Sequence, residues 1–324
     1  GLDVTLQDRE LKYIEPALKR AKSLFIKKLR DSNKVAGAIS RLVADVEGKG
    51  VGKADVIIEA IFENVDAKRE LFSGIEPRMK PGAVLATNTS AIPLAEISSV
   101  LKKPERLIGI HFFNPVAKMP LVEIVYDEIS DSKQVARGAA FCSAINRFPL
   151  PVKSSPGFLV NRVLSGYMAK AMSMHLERGI PIEVLDKAAK SFGMPMGPVE
   201  LADTVGLDVC MNVVTLLGGE STAKEAALLQ EKVDAGELGR KSGKGFYVWE
   251  KGKPKRSDND TSQYALEEIT ESLMQPYFEA CKAALADGIV EDADVLDAGM
   301  IFGTGFAPFR GGPLHYLEQK GAGQ

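Results

Sequence analysis

The sequence predicts an α/β domain followed by an all-α second half. Before Pro149, short apolar runs typical of strands alternate with helical stretches, a pattern that favours a parallel, doubly wound sheet. A boundary follows at Pro149, Pro151 and residues 154–157, and beyond it strand-like runs are scarce. The predicted strands are residues 39–43, 55–60, 84–87, 106–111 and 121–126, with helices at 66–79 and 131–146 between several of them.

Composition limits the class of protein. A chain of 324 residues with 45% hydrophobic and 26% charged content is typical of a globular protein of two or three domains. The net charge of −2 indicates neither nucleic acid nor a membrane surface as a partner. Cys142, Cys210 and Cys281 are too far apart for a Cys-x-x-Cys metal site and favour a reducing compartment. No apolar run reaches the roughly 18 residues of a membrane span, and we expect no metal.

The chain opens on a β-prone run, residues 2–8, that ends in Asp8. An acidic residue at such a strand end binds the adenine ribose hydroxyls of NAD. The Gly-x-Gly-x-x-Gly loop that usually follows the first strand of a dinucleotide-binding sheet is absent from the sequence. We therefore expect a sheet truncated at its N-terminus, in which the chain begins at the second strand.

Residues 13–30 predict an amphipathic helix rich in cations. Two interpretations remain open, because a basic face is commonly just solvated, whereas an anionic ligand such as a CoA phosphate would also suit it. The basic residues are Lys12, Lys19, Arg20, Lys22, Lys27, Lys28 and Arg30.

One histidine and one glutamate lie in successive strands. His111 ends the run at 106–111, Pro115 forces a turn, and Glu123 lies on an apolar face of the alternating run at 121–126. A carboxylate among apolar neighbours needs a partner. The pair is therefore either an acid/base dyad or a strand-end histidine with a solvated glutamate nearby.

The second half contains an internal repeat. The sequence ERGI at 177–180, with VLDKA at 184–188, is echoed by ADGI at 286–289 with VLDAG at 295–299. Each copy begins with a long amphipathic helix and runs on to a Gly-Pro pair. We therefore predict three domains, at residues 1–153, 154–253 and 263–324, with a polar linker at 251–262.

Five motifs in order resemble the L-3-hydroxyacyl-CoA dehydrogenases. They are IEAIFEN at 58–64, TNTS at 87–90, HFFNP at 111–115, LVE at 121–123 and PGFLVNR at 156–162. The repeat, with GTGFAPFRGGP at 303–313, resembles more narrowly the dehydrogenase part of the multifunctional fatty-acid oxidation enzymes. The resemblance implies a Rossmann-type NAD-binding domain, lacking its first strand and glycine-rich loop, and two copies of a helical C-terminal module.

The resemblance also implies roles for individual residues. His111 would be the general base, Glu123 would orient and stabilise its ring, and Ser90 would hydrogen-bond the substrate oxygen and the histidine. Asn161 would polarise the substrate carbonyl or hold the thioester. Glu63, Lys68, Asn88 and Asp8 would contact NAD, with Lys68 also near substrate. Outside the family, Ser90 and Asn161 would be ordinary loop and helix-start residues, and Glu63 and Lys68 a solvated pair.

The implied function is NAD-dependent oxidation of (3S)-3-hydroxyacyl-CoA to 3-ketoacyl-CoA in fatty-acid β-oxidation. The resemblance further implies an upstream enoyl-CoA hydratase/isomerase domain, a possible thiolase subunit, and a bacterial cytoplasmic or peroxisomal location. The alternative is a catalytically silent fragment that binds acyl-CoA or assists assembly, because the dinucleotide-binding loop is absent. A short-chain 3-hydroxybutyryl-CoA dehydrogenase is a further enzyme candidate, which the second helical copy argues against.

Overall fold

The computed structural model describes residues 1–217, 222–257 and 261–322. The chain divides into two compact units. One comprises residues 1–57 and 70–84, and the other residues 58–69 and 85–324.

The first unit contains two parallel strands joined by two helices. Strand β1 (Val4–Gln7) pairs with β2 (Leu42–Asp45). Helices α1 (Leu11–Leu29) and α2 (Ser32–Ser40) form the crossover that a parallel pair requires. Asp31 begins α2 by accepting a 2.8 Å hydrogen bond from the backbone N–H of Lys34.

This unit contains one helix and one strand that were predicted from the sequence. The basic helix predicted at 13–30 is confirmed as α1, and Lys27 and Lys28 are exposed in its last turn, where cations interact favourably with the helix dipole. The strand predicted at 39–43 is wrong in its first half. Residues 32–40 are helical because the Asp31 cap starts a helix there, and β2 begins only at Leu42.

The main sheet has five strands in chain order. They are β3 (Val56–Glu59), β4 (Val84–Thr87), β5 (Leu107–Phe112), β6 (Leu121–Tyr126) and β7 (Phe148–Lys153). β4 and β5 run parallel, β5 and β6 antiparallel, and β6 and β7 parallel. The predicted parallel pairing is therefore confirmed for β4–β5 and β6–β7 and wrong for β5–β6, because the turn after His111 sends β6 back beside β5.

Strand β7 was not predicted, because Pro149 and Pro151 indicated a boundary. Proline cannot donate to a strand ladder and is tolerated on an edge strand. β7 is the last strand in the order, so its prolines fall where no further partner strand is needed.

Three helices accompany the sheet: α3 (Val65–Ile75), α4 (Leu94–Ser98) and α5 (Ser132–Ala144). The predicted helix at 131–146 is confirmed as α5, which begins at the cap residue Asp131. The helix predicted at 66–79 ends earlier, at Ile75, and continues as a 3-10 turn over Glu76–Arg78.

The rest of the chain is mainly helical, as predicted. Its elements are α6 (Val160–Arg178), α7 (Ile182–Phe192), α8 (Pro198–Val205), α9 (Leu207–Leu217), α10 (Ala223–Asp234), β8 (Val248–Glu250), β9 (Lys253–Lys255), α11 (Leu266–Ala286), α12 (Ala293–Thr304) and α13 (Pro313–Ala322). β8 and β9 form a hairpin, so the predicted linker at 251–262 begins with a strand. Its residues 258–260 lie outside the described residues.

Two buried aspartates perform the same local task in different parts of this helical region. Asp186, on α7, accepts hydrogen bonds from the N–H groups of Val199 and Glu200 at the start of α8, at 2.9 and 3.0 Å. Asp297, on α12, accepts from Leu314 and His315 at the start of α13, at 2.8 and 3.0 Å. Each aspartate thus satisfies the free donors of a following helix.

The long helices α6 and α11 pack against each other. The rings of Tyr167 and Tyr277 meet edge to face, with their centroids 5.9 Å apart. At the ends of the shorter helices, a Cβ on Gly193 would lie 2.8 Å from the Cβ of Ala307. A Cβ on Gly305 would lie 2.6 Å from the ring of Pro195. The glycine at the end of each helix therefore approaches the residue two positions after the other glycine.

Candidate active site

His111 and Glu123 face each other across neighbouring strands. The antiparallel register of β5 and β6 pairs them directly, and His111 Nδ1 lies 2.7 Å from Glu123 Oε2. His111 is 3% exposed and Glu123 is fully buried. Because a carboxylate only accepts, Nδ1 carries the proton and Nε2 is left with its lone pair. The pairing predicted from the sequence is therefore present.

The second oxygen of Glu123 holds the start of helix α6. Glu123 Oε1 accepts hydrogen bonds from the N–H groups of Leu159 and Val160, at 3.1 and 3.0 Å. A helix N-terminus favours negative charge, so this contact helps to stabilise a buried carboxylate. Glu123 thus connects the histidine to the helix that carries Asn161.

Aromatic rings enclose the imidazole. Phe113 and Phe158 contact it edge to face, with centroid distances of 4.6 and 5.5 Å. Phe158 is fully buried and directly precedes Leu159, the residue that caps the start of α6. These rings restrict the orientation of the imidazole and reduce the access of water to it.

Ser90 and Asn161 come together from distant parts of the chain. Asn161, in the first turn of α6, donates from Nδ2 to the backbone oxygen of Ser90 at 3.3 Å. Within the described residues no hydrogen bond joins the Ser90 hydroxyl to His111, so that part of the expected arrangement is not present in this structure. The hydroxyl is not engaged by other protein groups in the described chain, which leaves it available to a ligand.

The loop that carries Ser90 is held by Glu63. The carboxylate of Glu63 accepts from the hydroxyl of Thr89 and, at 2.9 Å, from the backbone N–H of Ser90. Its other oxygen lies 3.3 Å from Lys68 Nζ. Lys68 is only 1% exposed, so the interpretation as a solvated pair is wrong for Lys68, whereas Glu63 is exposed.

Lys68 has a second and closer partner, Glu59. Lys68 Nζ lies 2.7 Å from Glu59 Oε1, and the side chain of Glu59 is fully buried. Glu59 was not singled out from the sequence. The signal that identified Glu123, a carboxylate inside an apolar strand, was also present at Glu59.

The remaining cofactor candidates lie in different units. The side-chain oxygen of Asn88 accepts from the N–H of Phe112 at 2.9 Å. The backbone N–H of Asn88 donates to the backbone oxygen of Glu59. Asn88 therefore lies beside the end of β5 that carries His111. Asp8 belongs to the other unit, where it is exposed directly after β1.

Residues 1–217, 222–257 and 261–322 contain no cluster of three or more side chains suited to a metal ion. Across the same described ranges, no helix combines the length and the hydropathy of a membrane span.

The site defines the general class of protein. A buried imidazole whose Nδ1–H is held by a carboxylate is the arrangement of a general base, here on an α/β domain followed by helices. Residues 1–155 match the family model described as the NAD binding domain of 3-hydroxyacyl-CoA dehydrogenase, and residues 157–249 match its C-terminal domain. The chain belongs to the 3-hydroxyacyl-CoA dehydrogenase family, an NAD-dependent family of oxidoreductases.

Solved structures agree with this assignment. The (S)-3-hydroxybutyryl-CoA dehydrogenase of Ralstonia eutropha is 32% identical, with 78% of this chain and 92% of that chain covered at a TM-score of 0.67. The dehydrogenase part of multifunctional enzyme 1 from C. elegans is 26% identical, with 94% and 73% covered at a TM-score of 0.64. The 3-hydroxybutyryl-CoA dehydrogenase of Escherichia coli, 24% identical, covers 98% and 86% at a TM-score of 0.84 and shows the shared fold.

Proposed function

We propose that this chain carries the site for oxidation of (3S)-3-hydroxyacyl-CoA to 3-ketoacyl-CoA, with NAD as the oxidant, in fatty-acid β-oxidation. The observation that carries the proposal is the His111–Glu123 dyad, a 2.7 Å contact between two buried side chains. The family supplies the substrate class, and the dyad supplies the base that such an oxidation requires.

His111 acts on the substrate hydroxyl. Its Nε2 accepts the 3-hydroxyl proton, while Nδ1–H stays on Glu123. The imidazolium that results is positive, and the adjacent carboxylate stabilises it. When bound, NAD supplies the acceptor for the hydride that leaves C3.

Ser90 and Asn161 orient the substrate. The Ser90 hydroxyl donates to the substrate oxygen, and Asn161 approaches the carbonyl or the thioester from helix α6. The hydrogen bond that Asn161 Nδ2 donates to the backbone oxygen of Ser90, 3.3 Å long, supports a common role. Groups held by such contacts are already oriented before substrate binds, which lowers the entropic cost of the reaction.

Four residues would hold NAD. Asp8 would accept from the adenine ribose, because an exposed carboxylate after β1 has free acceptor capacity. Glu63 and Asn88 lie beside the loop of Ser90 and would contact the nicotinamide end. Lys68, almost completely buried, would act there through Glu63 in this conformation.

The helical region comprises two copies of one module, at residues 154–253 and 263–324, after an NAD-binding domain at 1–153. The equivalent caps by Asp186 and Asp297 support this proposal. Gly193 and Gly305 are separated by the same number of residues as Pro195 and Ala307. Their reciprocal contacts are therefore those expected of two copies related by a pseudo-two-fold axis. In the native polypeptide an upstream hydratase/isomerase domain, and a thiolase partner, would complete a multifunctional enzyme.

The second candidate function is a silent module that binds acyl-CoA or assists assembly. It is favoured by the absence from the sequence of a Gly-x-Gly-x-x-Gly loop, the usual site of the pyrophosphate. An assay of residues 1–324 with NADH and acetoacetyl-CoA separates the two. Turnover of these substrates would contradict the silent module.

Stereospecificity tests the proposed activity. The native polypeptide, incubated with NAD and either enantiomer of a 3-hydroxyacyl-CoA, is expected to form NADH only with the (3S) form, because one fixed base serves one face. NADH production can be followed by absorbance. Equal rates with both enantiomers, or no turnover with either, would contradict the proposal.

A further inference from the structure

A buried ion pair, Glu59 and Lys68, lies beneath the loop of Ser90. Glu59 has no role in the proposed function, and Lys68 contributes to it only through Glu63. The side chains of Glu59 and Lys68 are 0% and 1% exposed, with 2.7 Å between Glu59 Oε1 and Lys68 Nζ. Burying two charges costs desolvation energy that their attraction barely repays, so such a pair is weak evidence for a purely stabilising role. Its contacts indicate a different one.

Glu59 organises the end of strand β4. Its Oε2 accepts from the hydroxyl of Thr87 at 2.6 Å, and that hydroxyl oxygen accepts from the N–H of Thr89 at 3.2 Å. Its Oε1 also accepts from the N–H of Ile61 at 2.7 Å. One carboxylate thus fixes the start of the Ser90 loop and the chain after β3.

Lys68 reaches the same loop from the other side. Its ammonium holds one oxygen of Glu63, while the other oxygen accepts from the Thr89 hydroxyl and from the Ser90 N–H. The Glu63 side chain is 34% exposed, so without the cation it could turn towards water. The buried ammonium therefore retains Glu63 in the position that holds Ser90.

We propose that Glu59 and Lys68 are positioning residues for the reaction. They act through Glu63 on Ser90, and through the Ser90 oxygen on Asn161. The kinetic part of this inference rests on the proposed function, whereas the structural part does not. If the pair only joined β3 to α3, its replacement by two neutral side chains would leave the Ser90 loop unaffected.

Hydrogen exchange at the Ser90 amide gives a readout that is independent of activity. The double variant E59Q/K68M removes both charges together, so no buried charge is left unpaired and the fold is expected to persist. We expect the Ser90 amide to exchange about tenfold faster in this variant, because Glu63 loses its cation. K232M, which removes a lysine at the same 2.7 Å distance from Glu237 in the helical region, is the control and should leave Ser90 unchanged.

Unchanged exchange at Ser90 in a folded E59Q/K68M protein would overturn the proposal. Should the double variant fail to fold, E59Q/K68Q provides the same comparison, because it also removes both charges together and places an amide where the ammonium lay. Protection of the Ser90 amide in folded E59Q/K68Q equal to that of the wild type would overturn the proposal in the same way.

A kinetic cycle tests whether the pair acts through Ser90. In the native polypeptide we expect E59Q/K68M to lower kcat about 10- to 100-fold with a smaller change in KM. In a Ser90→Ala background the same change should cost clearly less than in the wild type, because the Ser90 hydroxyl is already gone and only the effect on Asn161, through the backbone oxygen of residue 90, remains. Equal losses in both backgrounds would overturn the proposal. If the wild type oxidises no 3-hydroxyacyl-CoA, the proposed function fails, and the exchange experiment still decides the role of the pair.

Discussion

At the scale of single residues, Glu123 uses its two oxygens for different purposes. One accepts from His111, and the other accepts from two N–H groups at the start of α6. The position of His111 and the position of the helix that carries Asn161 therefore depend on one buried carboxylate. A displacement of either element would misplace the other.

Tyr167 and Tyr277 provide a matched pair at the contact between α6 and α11. The hydroxyl of Tyr277 is hydrogen-bonded to the hydroxyl of Thr304 at 2.9 Å. The buried hydroxyl of Tyr167 has no hydrogen-bond partner among the described residues. We expect Tyr277→Phe to lower the free energy of unfolding by about 1 kcal/mol and Tyr167→Phe to raise it by a similar amount. Urea unfolding of both variants measures this, and equal destabilisation by the two would contradict it.

The sequence could predict the dyad because a charged side chain in an apolar strand requires a partner. His111 and Glu123 are separated by a proline-containing turn, so a short hairpin could place them side by side. The same reasoning applied to Glu59 would have found Lys68. The link from Glu63 to the Ser90 loop could not be predicted, because it depends on the packing of β3 beside β4, which no local pattern specifies.

At the scale of elements, the aspartate caps connect successive helices. Asp186 also accepts from the hydroxyl of Tyr247, at 2.8 Å, and is 1% exposed. Burial raises the pKa of Asp186 to about 6, although the hydrogen bonds from Tyr247, Val199 and Glu200 oppose this. The folded state therefore binds this proton more tightly than the unfolded state does.

The pH dependence of stability follows from that raised pKa. Between about pH 4 and pH 6, Asp186 is protonated in the folded state and ionised in the unfolded state. Its contribution to the free energy of unfolding therefore falls as the pH rises. We expect the free energy of unfolding of the wild type, relative to Asp186→Asn, to decrease by roughly 2 kcal/mol across this range. Denaturant titrations at several pH values test this. A difference that is constant with pH, or that grows, would contradict it.

Strands were easier to predict than the turns that connect them. The runs at 84–87 and 121–126 match β4 and β6 residue for residue, because both are short apolar segments with clear limits. The direction of β6 and the existence of β7 were missed. Pairing direction is set by the connection to the next strand, and an edge strand tolerates the prolines that indicated a break.

At the scale of the whole molecule, all three cysteines are buried and free. Burial raises the pKa of Cys142 and of Cys210 to about 12, and it raises that of Cys281 as well. The thiolate is the reactive form, so we expect no rapid reaction of the native protein with a disulfide reagent at pH 8. Three thiols should react after unfolding in denaturant. Fast labelling of one thiol in the native state would contradict this.

Family membership extends over most of the chain, with matches at residues 1–155 and 157–249. Composition alone gave no indication of nucleic acid as a partner, and it could not indicate an enzyme. The motifs could indicate an enzyme, because they combine a histidine, a buried glutamate and a polar loop in one order along the chain. The substrate's acyl chain length has no such signature, since it depends on the shape of a pocket.

His111 is proposed as the general base. Turnover of (3S)-3-hydroxyacyl-CoA by the native polypeptide should fall about 10²- to 10⁴-fold in His111→Gln, because glutamine cannot accept the hydroxyl proton. The control is His315→Gln, which changes an exposed histidine paired with Gln319 and should retain wild-type turnover. A His111→Gln enzyme that kept most of its activity would contradict the account.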